Sequence, residues 1–375
     1  MPCGRSAFSI GEVVPPGHRH ASASGRCPDS RWPHSTTAGH RRRGRKRLTH
    51  AWRGFVAFRA LALGGSHGAT PALGRAAEFD GHGERNLRVA RDPVSASLQT
   101  EGSEEMLPVI KSVELPNDVK LPYVEQGDPS GVPLLFLHGI TDSWRSFESL
   151  LPHLPASIHA FALSQRGHGD ADRPVEGYHP RDFAADLVVF MDTVGLERAV
   201  LVGHSMGSYI AQRFAMDYPG RTRGLVLMGS FTTLRGNPEV TEFWDSVVST
   251  LEDPIDPDFA REFQVSTLAQ PVPRTLLDMA VQESLKVPAR VWRAAFGALM
   301  QADFSGELGK IQAPTLIVWG DQDALFLRRS EQEILAANIP NSKLVVYPGA
   351  GHALHWEDPR RVAADLVNFS QNLVG

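Results

Sequence analysis

The stretch "VLVGHSMGSYI", Val200–Ile210, decides how this chain is read. An apolar run gives way to Gly203-His204-Ser205-Met206-Gly207, and a helical pattern follows as far as Pro219-Gly220. A buried strand that feeds straight into a helix must turn within a residue or two. Glycines on either side of a serine permit a tight, strained turn that lifts the serine oxygen above the sheet. The N–H of Met206 then stands at a helix N-terminus, where it can donate to a developing oxyanion. Only three positions of the pentapeptide are fixed and the chain holds 34 glycines, so the flanking pattern has to carry the reading.

That pattern is regular from Met106 onward. "PLLFLHG" (133–139), "SIHAFAL" (157–163), "RAVLVGH" (198–204), "GLVLMGS" (224–230), "TLIVWGD" (315–321) and "KLVVYPGAGH" (343–352) read as short strands, each closed by turn residues. Between them lie helical spacings: 143–154, 179–195 with Phe183, Leu187, Phe190 and Met191 on one face, 205–220, and a closing helix over 360–373. Alternating strands and helices predict an α/β fold, a mostly parallel sheet with helices on both faces. Its near-continuous apolar strands fit burial on both sides. The rhythm breaks over 231–313, a helical, aromatic-rich segment expected to be a cap over the carboxyl ends of the strands. Residues 106–230 and 314–375 are then the core.

A serine hydroxyl needs a base, and the base needs a carboxylate to hold its tautomer. His352, in the loop after the last strand, is the expected base; His355 lies at the start of the final helix and is expected to pack there. His204 is expected to point into packing. Asp321 and Asp323 both follow the preceding strand. Asp323 is placed to reach His352, and Asp321, nearer the strand end, to brace the turn. The order Ser205, Asp323, His352 suits a nucleophile held at the top of such a sheet. A second oxyanion donor is expected from the loop after 133–139, at the N–H of Ile140. Trp144, Phe231 and Trp244 are candidate pocket walls.

Composition bounds the rest. Apolar residues make up 42% and charged residues 21%, ordinary for a globular protein. Both cysteines, Cys3 and Cys27, fall in the first thirty residues, so no disulfide framework holds the remainder. No run of 18 uncharged apolar residues occurs, so no membrane span is expected. Residues 1–77 carry twelve Arg and one Lys against Glu12 and Asp29. With little periodicity, 1–105 is expected to be a disordered basic leader or sequence upstream of a true start at Met106. "RRRGRKR" (41–47) keeps a nucleic-acid patch or a targeting signal open, and "FVAFRALALGG" (55–65) an export segment. With a start at Met106 the expected location is cytoplasmic.

Five stretches in order, "HGI" (138–140), "SQRGHGDAD" (164–172), "GHSMG" (203–207), "GDQD" (320–323) and "GAGH" (349–352), resemble the α/β-hydrolase fold superfamily in its capped branch. The resemblance covers nearly everything after Met106. Two departures stand out: Ser164 occupies the place of the usual aspartate, which puts any ion pair made there in doubt, and Ser208 that of a frequent glycine. Serine at the elbow sets the chain apart from epoxide hydrolases and haloalkane dehalogenases, which carry Asp there. The resemblance implies a serine hydrolase acting on an ester or lactone of a small, largely apolar acid, with no cofactor, metal, nucleic acid or membrane partner. C–C bond hydrolysis or perhydrolysis by the same triad stays open, as does a hydrolase-like small-molecule receptor.

Overall fold

The computed structural model describes residues 109–116, 118–325 and 329–373. The expectations for residues 1–105 lie outside them. Eight strands form one sheet: β1 (Ile110–Glu114), β2 (Lys120–Gln126), β3 (Val132–Leu137), β4 (Ile158–Leu163), β5 (Ala199–His204), β6 (Thr222–Met228), β7 (Thr315–Gly320) and β8 (Ser342–Tyr347). Their order is β1-β2-β4-β3-β5-β6-β7-β8. β2 runs antiparallel to β1 and β4, and the other pairs are parallel.

Two apolar layers sandwich this sheet, and the two-residue period of the strands sorts side chains between them. Leu135, Leu137, Leu201 and Leu227 face one layer; Leu134, Phe136, Val200, Val202 and Met228 face the other. Helices α1 (Pro180–Thr193) and α2 (Met206–Asp217) cover the first face. The start of α1 is fixed by a capping box, in which the His179 N–H donates to Asp182 Oδ2 at 2.8 Å and the Arg181 N–H to His179 Nδ1 at 3.2 Å.

Four helices, α3 (Pro238–Ser246), α4 (Pro257–Ser266), α5 (Arg274–Lys286) and α6 (Ala289–Gln301), fill the stretch between β6 and β7. Asn237 and Asp256 cap α3 and α4, each followed by a proline at the first helical position. Most aromatics of this insertion pack on one another: Phe263 lies 5.0 Å from Trp292 and Phe243 5.4 Å from Phe296, centroid to centroid. Beyond β7 come α7 (Arg329–Asn338), α8 (Leu354–Glu357) and α9 (Pro359–Gln371).

The helical spacing over 143–154 resolves instead into two 3-10 turns, Trp144–Phe147 and Leu151–His153. Pro152 is the physical reason. Inside a continuous α-helix it would lose a bond to the Glu148 carbonyl and collide with it, whereas it opens the second turn without loss.

The strand order positions the site. From β3 the chain moves to β4 on one side, then crosses to β5 on the other. Loops leaving β3 and β5 therefore diverge, and a crevice opens at their carboxyl ends. Gly139 and Ser205 stand at that switch point.

Candidate active site

Ser205 follows β5 directly and is the N-cap of α2, with φ 51° and ψ −118°. That backbone region is costly for a residue with a Cβ, and it persists only where packing enforces it. Here the packing is backbone against backbone. A Cβ on Gly203 would lie 2.4 Å from the Gly207 carbonyl oxygen, and one on Gly207 would lie 2.1 Å from that of Leu137. The Ser205 carbonyl accepts from the amides of Ser208 (2.9 Å) and Tyr209 (3.2 Å). Ser208 also donates its hydroxyl to that carbonyl at 2.6 Å and lies 2.9 Å from Ser230 Oγ. The departure from glycine at 208 thus adds a brace under the elbow.

His352 sits in the loop after β8, and its Nδ1 lies 2.6 Å from Asp323 Oδ2. Both side chains are buried. A carboxylate only accepts, so Nδ1 carries the proton and Nε2 keeps its lone pair. The other Asp323 oxygen accepts from the Leu325 N–H at 3.0 Å, which fixes the carboxylate plane. Asp321 is exposed and accepts from the Gly349 N–H at 2.7 Å. It joins the turn after β7 to the loop that carries His352.

Ser205 and His352 share a cavity of about 30 Å³, room for a water or two and well short of an ordinary ligand pocket. Gly139, Ile140 and Asp142 line it from the loop after β3; Phe263, Gln264, Thr267 and Phe296 line it from the insertion; Trp356 and Leu325 complete the wall. No Lys or Arg among the described residues lines it. Met206 opens α2 beside Ser205, and the first amides of a helix have no intrahelical acceptor. The chain turns sharply after Ile140, where Thr141 holds φ 71°.

The three expected pocket walls lie elsewhere. Trp144 is buried in the layer beneath the sheet, its N–H donating to Ser164 Oγ at 3.3 Å. Phe231 packs on Tyr209 and Trp244 on Phe296. His204, expected to point into packing, is buried but lines the cavity. Its Nε2 meets the His352 carbonyl oxygen at 3.1 Å.

Sequence reasoning passed over Asp142 and Gln264. Gln264 Nε2 lies 3.0 Å from Asp142 Oδ1, 2.8 Å from Ser284 Oγ and 3.4 Å from Thr141 Oγ1. Burial pushes the Asp142 carboxyl up to about 7, against the pull of its bonds to Gln264 and Ser146. Burial also lowers the nearby histidines: His204 well below its usual value, His355 to about 3 and His168 to about 4. At Ser164 no carboxylate is present; Arg166 pairs instead with Asp186 of α1, and both are buried.

Three comparisons bear on this geometry. A family model described as alpha/beta hydrolase fold matches residues 132–359. A 2-hydroxy-6-oxononadienedioate/2-hydroxy-6-oxononatrienedioate hydrolase of Pseudomonas putida is 30% identical, over 73% of this chain and 98% of its own. A non-heme haloperoxidase of Rhodococcus erythropolis is 27% identical, over 65% of this chain and 93% of its own. Among solved structures, the esterase RhEst1 from Rhodococcus sp. ECU1013 superposes with a TM-score of 0.62 at 26% identity, covering 70% of this chain and 99% of its own. No helix among the described residues is long and apolar enough to cross a membrane.

Proposed function

This chain belongs to the alpha/beta hydrolase fold family and is a hydrolase of that fold; on that footing we propose that it cleaves an ester or lactone of a small, largely apolar acid through an acyl-enzyme on Ser205. The observation that carries the reading is a buried Asp323–His352 bond whose histidine faces the same small cavity as a serine held in a strained elbow.

In this mechanism Ser205 Oγ attacks the carbonyl carbon as His352 Nε2 takes its proton. The oxyanion accepts from the N–H groups of Met206 and Ile140. Collapse breaks the bond to the alkoxy oxygen, which leaves with the proton from His352. Water then gives its proton to His352 and attacks the acyl carbon; the bond to Ser205 Oγ breaks as His352 returns the proton to that oxygen, and the acid is released. Asp323 holds the tautomer and stabilises the imidazolium. Removing one oxyanion donor typically costs about 10²–10³ in rate.

C–C hydrolysis would use the same residues, and the Pseudomonas putida relative is named for a dioate. A dianionic substrate calls for cations, and none lines the cavity among the described residues; this favours the ester or lactone. The test is a panel of p-nitrophenyl esters of two to eight carbons, with γ-lactones. Turnover that vanishes in Ser205→Ala is expected. Turnover of a ring-fission dioate with none of any ester or lactone would overturn the reading.

A further inference from the structure

Asp142 is a buried carboxylate that the mechanism above does not use. It lines the cavity with Gly139 and His204. A Cβ built on Gly139 would stand 3.1 Å from Asp142 Oδ2 and 3.1 Å from His204 Nδ1. Two polar atoms from different strand ends therefore converge on one point beside the bare Cα of Gly139.

Above about pH 7, where Asp142 is ionised, both atoms are acceptors. His204 Nε2 lies against the His352 carbonyl oxygen, which can only accept, so that nitrogen carries the proton and Nδ1 presents a lone pair. Burial, next to His355 and His352, keeps this ring neutral. Nδ1 has no hydrogen-bond partner among the described residues. Asp142 is held from both sides: Gln264 of the insertion donates to Oδ1 at 3.0 Å, and Ser146 approaches Oδ2 at 3.4 Å. The titratable groups facing it are His352, which favours its anion, and Glu283, which opposes it. Glu283 is itself paired with Lys286 at 3.0 Å, so that lysine does not supply a free charge to the cavity.

We propose that Asp142 and His204 form an acceptor pair beside the oxyanion loop that makes Asp142 a specificity-determining residue, rejecting carboxylate-bearing acyl groups and admitting uncharged ones that offer a hydrogen-bond donor. This rests on the ester or lactone reading for its kinetic arm and on geometry alone for its binding arm. A substrate carboxylate placed there meets an anion and a lone pair in a desolvated wall, where like charges interact strongly. A hydroxyl or amide N–H meets two acceptors.

The kinetic arm compares p-nitrophenyl butyrate with the singly anionic mono-p-nitrophenyl glutarate at about pH 8.5, where Asp142 is ionised. In Asp142→Asn the ratio of kcat/KM, neutral over anionic, falls at least about tenfold, or about 1.4 kcal/mol. A general structural loss would lower both rates and leave the ratio in place. An unmoved ratio in a folded variant overturns the proposal. The binding arm uses the full chain carrying Ser205→Ala and needs no turnover. Butanamide is expected to raise the melting temperature at millimolar concentrations where butanoate does not, and adding Asp142→Asn restores butanoate binding at least about tenfold. Should no ester be turned over, the ester reading falls and this arm decides alone. The same arm decides if Asp142→Asn does not fold, through the wild-type side chain's preference for the amide. Butanoate binding as tight as butanamide with Asp142 in place overturns the proposal.

Discussion

Gly207→Ala is the perturbation whose cost can be worked most directly from the structure. The new methyl carbon would stand 2.1 Å from the Leu137 carbonyl oxygen, 2.5 Å from its carbon and 2.7 Å from the His138 carbonyl oxygen. All three are backbone atoms at the end of β3, and a normal contact requires a retreat on the order of 1 Å. β3 cannot give way, because Leu137 is in register with Leu163 of β4 on one side and Gly203 of β5 on the other. The helix has to lift, carrying Ser205 and the Met206 amide with it. Overpacking of this kind costs about 1–3 kcal/mol, occasionally more, or roughly 2–4 °C in Tm per kcal/mol for a domain of this size. A displacement of about 1 Å at the reacting atoms can cost about 10²-fold in rate. Gly220→Ala is the control: nothing lies within 4 Å of its Cβ and its φ is not positive, so a change under about 1 kcal/mol is expected. Thermal melts and ester kinetics on both variants make the assay. A Gly207→Ala protein with wild-type Tm and activity would refute the elbow geometry.

Asp323→Asn should lose activity by about 10⁴-fold through the wrong His352 tautomer, whereas Asp321→Asn keeps an oxygen for the Gly349 N–H and should lose less than about tenfold; kcat/KM on one ester ranks them, and the reverse order contradicts the assignment. Stability should fall in acid. His138, His168, His204 and His355 all have folded pKa values below the unfolded 6.5, so the unfolded chain binds more protons below pH 6.5. Each then removes up to about 1.4 kcal/mol per pH unit until its own folded pKa is reached. Asp142 and Asp186, both raised by burial, oppose this as two groups against five, since burial lowers His179 as well, so urea midpoints should drop between pH 6.5 and 4.5; a flat profile would contradict the burial of these rings. EDTA should leave ester turnover unchanged, since in the proposed mechanism amides hold the oxyanion and His352 activates the water; loss on chelation with recovery on a divalent cation would contradict that chemistry.

Ser205 was legible because it follows β5 directly, and Asp323 and His352 because they lie in the loops after β7 and β8, so local pattern and chain order sufficed to propose them together. Asp321 was legible for the same reason, since its place at the strand end makes it the turn brace. The site's other half was not. Asp142 stands in plain view after "HGIT", but its partner Gln264 is 122 residues away, on a helix whose rotation no periodicity fixes. The expected walls Trp144, Phe231 and Trp244 were chosen by type and proximity in sequence, whereas Phe263, Phe296 and Trp356 reach the cavity through tertiary packing. The 143–154 segment shows a purely local miss: its apolar spacing is helical, but Pro152 divides it into two tighter turns. Arg166 pairs with Asp186 on α1, a contact across twenty residues that spacing alone does not disclose.

The central claim is a covalent acyl-enzyme on Ser205, and acid-quenched intact-mass analysis during turnover of p-nitrophenyl butyrate tests it most directly. The account predicts a single butyryl adduct, mapped by peptide sequencing to the Ser205 peptide, released on further incubation and missing from Ser205→Ala along with turnover. Steady ester hydrolysis by a clean Ser205→Ala preparation, or an adduct on another side chain that forms and clears at the turnover rate, would contradict it.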